Sequence, residues 1–167
     1  MLTKDDIEAL SAGAGQSSQA LFEAIAQVAA RRVNAGLVTA MRHHAAEQQV
    51  ERLYSSNTQA YPVGGRKQKR DTGWSRKVLA EHQVLLSAGD DGIRESFDDH
   101  AIIFGLGLHS CVNVPLVSQG QCVGTLNVLR AQADWNADEI AVARALGLAA
   151  LAGVLMMLAP QPGFPST

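Results

Sequence analysis

The sequence predicts a single α+β domain. The middle of the chain forms a mainly antiparallel sheet, and helices form near the two ends of the chain. At 167 residues, of which 47% are hydrophobic, the chain has the length and apolar content of one domain core. Helical periodicity marks a segment near each end, and strand-like runs lie between them. The links between these strands are too short for parallel crossovers, so we expect antiparallel pairing.

Composition and charge narrow the class of partner. The formal net charge of -2 does not favour a polyanion, and we predict no nucleic-acid partner. The most apolar stretch, Ala145 to Ala159, is about 15 residues long, shorter than the roughly 20 that span a bilayer, so we predict no membrane contact. The N-terminus lacks the pattern of a secretory signal. We therefore expect a cytoplasmic protein in which Cys111 and Cys122 are free thiols.

The first helix is predicted to begin near Ser17. Residues 1–16 end in small and polar residues, and we interpret them as a flexible N-terminal arm or a frayed first turn. Two apolar stripes then recur at helical spacing and predict a helix covered on two sides. The stripes are Leu21, Ile25, Val28 and Arg32, and Phe22, Ala26, Ala29 and Val33. Gly36 fits just past the end of this helix.

A hairpin and a long loop are predicted to follow. The runs Leu37 to His44 and Gln48 to Ser56 have strand character and are joined by a short polar link. Residues 57–71 then contain a proline, two adjacent glycines and four basic residues, which predicts a loop. Loops of this length in compact domains are often functional.

The middle of the chain predicts short elements. Asp71 or Thr72 can cap a helix that runs through Glu81. Val84 to Ser87 is predicted as a strand, and Gly89 to Gly92 as a turn. Ser96 and Asp99 have the spacing of a capping box, which predicts a second short helix through about Phe104.

The last third predicts a second hairpin whose register follows from its apolar face. Ser110 to Val117 and Cys122 to Arg130 flank a turn containing Gly120. If opposed residues sum to 240, all the apolar residues fall on one face and Asn113 faces Asn127 on the other. This register requires a three-residue loop or a longer one of odd length. The apolar face consists of Val112, Val114 and Leu116 opposite Val128, Leu126 and Gly124.

The final helix is predicted from Asn136, with Glu139 completing a capping box, to about Leu158. It is apolar nearly all round, so its apolar surface is larger than one core can cover. We therefore expect a homodimer that pairs through the terminal helices. Residues 159–167 contain three prolines and form a predicted C-terminal tail.

This order of elements, with certain local patterns, resembles the GAF domain family over residues 17–158. The patterns are Pro115-Leu116, Gly120 and Gly124-Thr125-Leu126, followed by the final amphipathic helix. Thr72-Gly73-Trp74 resembles the start of the family's central insertion, and the loop from Tyr61 to Lys67 resembles a subset of stand-alone bacterial members. With the five predicted strands numbered along the chain, the resemblance implies the sheet order 2-1-5-4-3. It also implies terminal helices on one face and a ligand pocket under the middle segment on the other.

The candidate ligand-binding residues combine sheet amides, aromatic rings and a few charges. Asn113, Thr125 and Asn127 share the sheet face opposite the apolar one, which we predict as the pocket floor. The two amides can instead bond to each other or to a water molecule. Arg66, after the adjacent glycines, is a candidate anion clamp, although a solvated loop is the alternative. The remaining candidates come from the middle segment: Tyr54, Tyr61, Trp74, Phe97, Asp99 and His100. The alternatives are ordinary core packing for the aromatic rings, helix capping for Asp99 and a local contact for His100.

These residues predict a sensory or regulatory domain that binds a small anionic or amide-bearing ligand. No kinase, cyclase or helix-turn-helix pattern follows, so we expect no output domain of its own. One alternative is a small pocket enzyme using His100 or Cys111, similar to the GAF lineage that reduces free methionine sulfoxide. That chemistry needs paired reactive cysteines, and the register separates Cys111 from Cys122. Another is a purely structural dimerisation module. We predict no catalytic residue, no cofactor and no metal site.

Overall fold

The computed structural model describes residues 1–69 and 71–159, and Arg70 and most of the predicted C-terminal tail lie outside this range. The helices are α1 (Lys4–Gln16), α2 (Ser18–Val33), α3 (Gly73–Ser75), α4 (Gly89–Ser96), α5 (His100–Gly105) and α6 (Ala137–Leu158). A π-helical turn, Arg76–Ala80, continues α3. The strands are β1 (Leu37–His44), β2 (Gln49–Ser55), β3 (Arg66–Gln68), β4 (Leu85–Ala88), β5 (Ser110–Ser118) and β6 (Gln121–Arg130).

The strands form one antiparallel sheet in the order β3-β2-β1-β6-β5-β4. The predicted α+β class is therefore confirmed. The five predicted strands keep the order that the family resemblance implies, and β3 adds a short strand at the edge beside β2. The long polypeptide between β2 and β4 thus contributes an edge strand, which fixes residues 66–68 relative to the sheet face.

The predicted register of the second hairpin is confirmed, but its turn differs. Asn113 pairs with Asn127, and Val114 pairs with Leu126. The turn has only two residues, Gln119 and Gly120, both with positive φ (51° and 76°), which is the geometry of a type I′ turn. A register shift after Leu116 leaves one extra residue in β6, and this bulge replaces the odd-length loop that the sequence predicts.

The apolar sheet face packs against the terminal helices and forms the main core. Val112, Val114, Leu126 and Val128 are buried there with residues of α2 and α6. Gly147 of α6 permits the close approach, because a Cβ atom at this position would lie 2.6 Å from Cγ1 of Val114. The opposite sheet face is thereby left to the middle segment of the chain.

Helix α6 is apolar all round, as the sequence predicts, and Asn136 and Glu139 form its capping box. By length and composition it meets the criteria for a membrane-spanning helix. Its most apolar 18-residue stretch has a mean hydropathy of 2.1, and 39% of that stretch is buried inside the protein. A core helix meets the same criteria. Its buried face contacts β5, β6 and α2, and its exposed face includes Leu148, Leu155 and Met157.

Residues 4–16 form helix α1, which contradicts the prediction of a flexible arm at residues 1–16. Thr3 and Asp6 form a capping box, and Asp6 also accepts hydrogen bonds from Arg31 and Arg32 of α2. The small residues that indicated flexibility serve helix packing instead. A Cβ atom on Gly13 would lie 2.8 Å from the carbonyl oxygen of Ala20, so only glycine allows this close contact.

Two predictions in the middle segment are also wrong. The predicted turn at Gly89 to Gly92 is the first part of helix α4. The predicted capping box of Ser96 and Asp99 does not form, because the hydroxyl of Ser96 bonds to that of Ser87 at 2.7 Å. Asp99 still precedes α5, but its side chain makes no capping hydrogen bond. Its carboxylate is therefore not used in capping and interacts with the hydroxyl of Tyr61 instead.

Candidate functional site

A cavity of about 450 Å³ lies between the polar sheet face and the middle segment. Protein pockets for small molecules typically have volumes of about 300–1,000 Å³, so this cavity is large enough for a metabolite. Its floor comes from β1, β5 and β6, one wall from β2 and β3, and its cover from the segment that contains Trp74 and from the connection between α4 and α5. The residues that line it include Thr39, Val50, Arg52, Tyr61, Lys67, Lys69, Trp74, Glu95, Phe97, Asp98, Asp99, Asn113, Thr125 and Asn127.

The floor is a row of polar side chains across three strands. The side-chain amide of Asn113 donates to Oδ1 of Asn127 at 2.8 Å, and the amide of Asn127 donates to Oγ1 of Thr39 at 3.0 Å. The register produces this row, because Asn127 pairs with Asn113 on one side and with Thr39 on the other. The two asparagines therefore bond to each other, which is one of the alternatives that the sequence left open. Oδ1 of Asn113 remains an unused acceptor of the row.

Several buried polar atoms around the cavity have no hydrogen-bond partner in the described part of the chain. They are Oδ1 of Asn113, Oγ1 of Thr125, Nε1 of Trp74 and Nε of Arg52. The hydroxyl of Tyr61 faces the carboxylate of Asp99, which is its hydrogen-bond acceptor. Only one other buried side-chain atom in residues 1–69 and 71–159 lacks a partner, Nε of Arg130. Buried polar groups are normally paired, so their concentration at one cavity indicates that an external molecule completes them.

Arg52 provides a fixed positive charge at the wall. Its Nη1 donates to the carbonyl of Pro62 at 2.9 Å, and its guanidinium carbon lies 4.9 Å from the centroid of the Tyr61 ring. Burial lowers the pKa of Arg52, against the opposing influence of Tyr61 and Asp99, but an arginine remains charged at neutral pH. The guanidinium is thus oriented by two contacts while its Nε–H has no protein acceptor.

Lys69 places a second cation beside an aromatic ring. Its Nζ lies 3.9 Å from the centroid of the Trp74 ring. The pKa of Lys69 falls to about 8, because burial disfavours the ammonium form and the charge of Lys67 repels it, while Asp99 and Asp98 act in the opposite direction. The ammonium form therefore predominates at neutral pH, and its desolvation strengthens any contact with an anion.

The acidic groups of the site lie on the connection between α4 and α5. Asp98 pairs with Lys67 at 3.5 Å across the cavity entrance, where the side chain of Asp98 is 88% exposed. Asp99 lies further in, since its charge acts on Arg52, Tyr61 and Lys69 together. Burial raises the pKa of Tyr61 well above its ordinary value, and Asp99 raises it further, so this phenol stays protonated.

Seven of the ten predicted ligand-binding residues line this cavity. They are Tyr61, Trp74, Phe97, Asp99, Asn113, Thr125 and Asn127. The strand register brings the last three together, and the segment between β2 and β5 brings the other four over them. Whether they contact a ligand remains a prediction.

Tyr54 does not line the cavity, because β2 contains a bulge. Ala40 pairs with Tyr54, but the next residue, Met41, pairs with Arg52, so Leu53 is an extra residue. After Arg52, the side chains of β2 therefore lie on the opposite sheet faces from those that regular alternation predicts. Tyr54 consequently belongs to the core on the helix side, where its ring stacks on Phe22 at a centroid distance of 5.6 Å.

Arg66 and His100 also lie outside the cavity. Arg66 pairs with Glu51 across β2 and β3, at 3.3 Å, whereas its neighbour Lys67 lines the cavity. Period-two alternation in β3 explains this difference. The N–H of Gly64, before Arg66, donates to the carbonyl oxygen of Arg52. His100 uses Nδ1 for a contact of 2.9 Å with the carbonyl oxygen of Phe97.

Sequence reasoning missed Arg52, Lys67 and Lys69 as site residues. Alternation carried a signal for Arg52, because Val50 and Arg52 occupy every second position of a strand and both line the cavity. The basic run contained Lys67 and Lys69, but only strand β3 determines which of its members face the cavity. A strand of three residues within a polar loop has no recognisable sequence pattern.

Neither cysteine has the character of a reactive thiolate. Both are free and buried. Burial raises the pKa of Cys111 well above its ordinary value and also raises the pKa of Cys122. Redox chemistry of cysteine requires a stabilised thiolate, so these environments weigh against the reductase alternative. In the described residues, no group of three or more histidine, cysteine, aspartate or glutamate side chains is placed to hold a metal ion.

Comparison with known proteins decides the family. The model of the GAF domain family matches residues 17–154, which include the sheet, α2 and most of α6. The chain belongs to the GAF domain family. A comparison with curated protein sequences finds no match.

Solved structures share the fold of this GAF domain at low sequence identity. The GAF domain of a phosphoenolpyruvate-protein phosphotransferase from Coxiella burnetii has a TM-score of 0.72 and 11% identity, covering 90% of this chain and 91% of that one. Residues 122 to 287 of a methyl-accepting chemotaxis protein give 0.68 and 16%, with coverages of 93% and 100%. The GAF domain of a two-component sensor histidine kinase from Bacillus halodurans gives 0.61 and 16%, with coverages of 81% and 96%.

Proposed function

We propose that this GAF domain is a sensory or regulatory module that binds a small polar metabolite in the cavity over Asn113 and Asn127. The observation that carries the proposal is the concentration of unpartnered buried polar atoms around one cavity of about 450 Å³. Unpaired buried polar groups each cost about 1–3 kcal/mol, so a fold that keeps four together benefits from a ligand that pairs them. The occurrence of similar domains in a chemotaxis protein and a sensor kinase supports a signalling role.

The donors around the cavity favour a ligand with a carboxylate or another anionic group. Arg52 and Lys69 carry positive charge into the cavity, and Nε1 of Trp74 adds a neutral donor. The aromatic rings of Tyr61, Trp74 and Phe97 supply apolar contact area beside these donors. A small molecule with one anionic end and a compact body matches this set of groups.

A signal can leave the cavity through the sheet. Asn113 lies between Val112 and Val114, which belong to the core shared with α2 and α6. The tight contact of Val114 with Gly147 makes any shift of β5 costly unless α6 shifts with it. Ligand contact with Asn113 would therefore bias the packing of the terminal helices, which is where we place the output.

The test is a thermal-denaturation screen of fractionated metabolite extracts, followed by single compounds. A ligand at about 100 times its Kd stabilises the folded state by about 2.7 kcal/mol, which raises the Tm of a domain of this size by roughly 5–10 °C. Arg52→Met should lose most of this shift. Arg66→Met is the matched control, because it removes the same charge from an adjacent strand but outside the cavity. A screen in which no fraction raises Tm, or in which both variants respond alike, would contradict the proposal.

We further propose that two copies of the chain associate through their terminal helices. Leu148 of α6 is 74% exposed, and Leu155, Met157 and Ile7 of α1 are also exposed. The part of the exposed face of α6 after Arg144 carries no charged residue, so water contact there is unfavourable. A second copy presents the same apolar surface, and a two-fold axis would bury both surfaces at once.

A further inference from the structure

The charges around the cavity are balanced, and this balance restricts the ligand more than its donors alone do. Among the described residues, three basic side chains line the cavity: Arg52, Lys67 and Lys69. Three acidic side chains line it too: Glu95, Asp98 and Asp99. The basic groups lie on the side of β2 and β3, and the acidic groups lie at the end of α4 and before α5. The cavity therefore presents walls of opposite charge.

The inner charges lack the close pairing found at the entrance. Lys67 and Asp98 form an ion pair at 3.5 Å and neutralise each other. Asp99 acts electrostatically on Arg52 and Lys69, but within residues 1–69 and 71–159 it forms no ion pair with either of them at 4.0 Å or less. A ligand group can enter between these separated charges without displacing a formed ion pair.

The unpartnered atoms divide in the same way as the charges. Nε–H of Arg52 is a donor without an acceptor and belongs to the basic wall. Oδ1 of Asn113 is an acceptor without a donor, on the floor. The carboxylate of Asp99 is a second acceptor, and Asp99 and Asn113 both line the cavity. A ligand that carries N–H groups therefore finds acceptors on the floor and on the acidic wall.

We infer that the ligand is dipolar, with a carboxylate that binds Arg52 and Lys69 and an ammonium group that binds Asp99 and Oδ1 of Asn113. This inference rests on the proposed function and specifies the class of its ligand. A simple anion pairs with Arg52 but lies close to the like charge of Asp99, which weakens its binding. A simple amine pairs with Asp99 but lies close to the like charge of Arg52, which weakens its binding in the same way. Only a molecule carrying both charges complements both walls.

The test compares matched compounds that differ in one charge. The dipolar members are alanine, leucine and phenylalanine. Their deaminated acids are propionate, 4-methylpentanoate and 3-phenylpropionate, and their decarboxylated amines are ethylamine, 3-methylbutylamine and phenethylamine. Calorimetric titration of the full chain should show, in at least one series, a dipolar member that binds roughly tenfold or more tightly than its acid and its amine. This ratio corresponds to the loss of one charged hydrogen bond.

A pair of variants assigns the effect to Asp99. Asp99→Asn should remove the advantage of the dipolar member over its acid. Asp91→Asn makes the same charge change on α4, where the residue is fully exposed and outside the cavity, and should keep the advantage. The tryptophan fluorescence of Trp74, recorded in a Trp135→Phe background, gives a second readout at the cavity itself.

The opposite results separate this inference from the proposed function. Acids that bind as tightly as the dipolar compounds in every series, or an advantage that survives in Asp99→Asn, would overturn the dipolar ligand while leaving an anion-binding module. Absence of binding by every member of the three series would overturn it as well. The failure of the proposed function has a different signature, since no extract fraction would then stabilise the protein.

Discussion

Two threonine-to-valine substitutions on the same sheet face should change stability in opposite directions. Thr125 is 1% exposed and its hydroxyl has no hydrogen-bond partner in the described residues, whereas the hydroxyl of Thr39 accepts from the amide of Asn127 at 3.0 Å. Valine matches the shape of threonine, and both residues suit a strand. The substitutions therefore differ mainly in whether a hydrogen bond is lost.

The magnitudes follow from the cost of unpaired groups. Thr125→Val removes a buried hydroxyl that pairs with nothing, which should stabilise the ligand-free protein by about 1–2 kcal/mol. Thr39→Val leaves the amide of Asn127 without its acceptor and should destabilise by about 1–3 kcal/mol. For a domain of this length, the Tm should rise by roughly 3–6 °C in the first case and fall by a comparable amount in the second.

The assay is urea denaturation with calorimetry on protein refolded from urea, because refolding removes any bound small molecule. The gain in Thr125→Val should come with weaker binding, since the hydroxyl belongs to a residue that lines the cavity. A loss of stability in Thr125→Val as large as that in Thr39→Val would refute the reasoning. It would mean that the hydroxyl of Thr125 is already paired within the protein.

Three further predictions concern the scaffold. Asp6→Asn should destabilise the protein by about 2 kcal/mol at pH 7, measured by chemical denaturation, because Asp6 accepts hydrogen bonds from Thr3, Arg31 and Arg32. These interactions hold the pKa of Asp6, first through the Thr3 backbone N–H, well below its ordinary value. Its contribution is therefore present at neutral pH and declines as the pH falls below about 4; an equal loss at pH 3 and pH 7 would contradict this. Gly124→Ala should destabilise by about 3 kcal/mol or more, since its Cβ would lie 2.1 Å from the carbonyl oxygen of Met41, while Gly105→Ala, with open space around it, should change stability by less than about 0.5 kcal/mol. Leu148→Glu should convert a dimer into a monomer in light scattering at micromolar concentration; a wild-type protein that is already monomeric would refute the proposed association.

The sequence predicted the sheet and its floor because alternation and apolar periodicity are strong local signals. The second hairpin illustrates this, since one register alone puts Val112, Val114, Leu126 and Val128 on the same face. That register also places Asn113 beside Asn127. The prediction of a polar floor therefore required only the pattern of one hairpin.

The sequence did not reveal features that depend on a single irregular residue. Leu53 is an ordinary strand residue, yet as a bulge it turns Tyr54 toward the helices and leaves Arg52 at the cavity. The edge strand β3 similarly separates Lys67, which lines the cavity, from Arg66, which does not. In both cases the sheet face on which a side chain lies depends on strand pairing in the folded protein, which local sequence patterns do not encode.

Helix α1 was missed for a different reason. Its serine and two glycines lower the apparent helix propensity of the segment, which indicated a flexible arm. Packing reversed this preference, because Gly13 allows close contact with α2 and Asp6 joins the two helices through Arg31 and Arg32. Tertiary contacts of this kind commonly decide short segments of weak propensity.

The most direct test of the central claim is a high-resolution crystal structure of the protein with a compound that raises its Tm. We expect density for a small molecule over Asn113 and Asn127, with an acceptor within hydrogen-bond distance of Nε of Arg52 and a donor near Oδ1 of Asn113. Density for the compound elsewhere, with the cavity closed by side chains and these two atoms paired inside the protein, would contradict it.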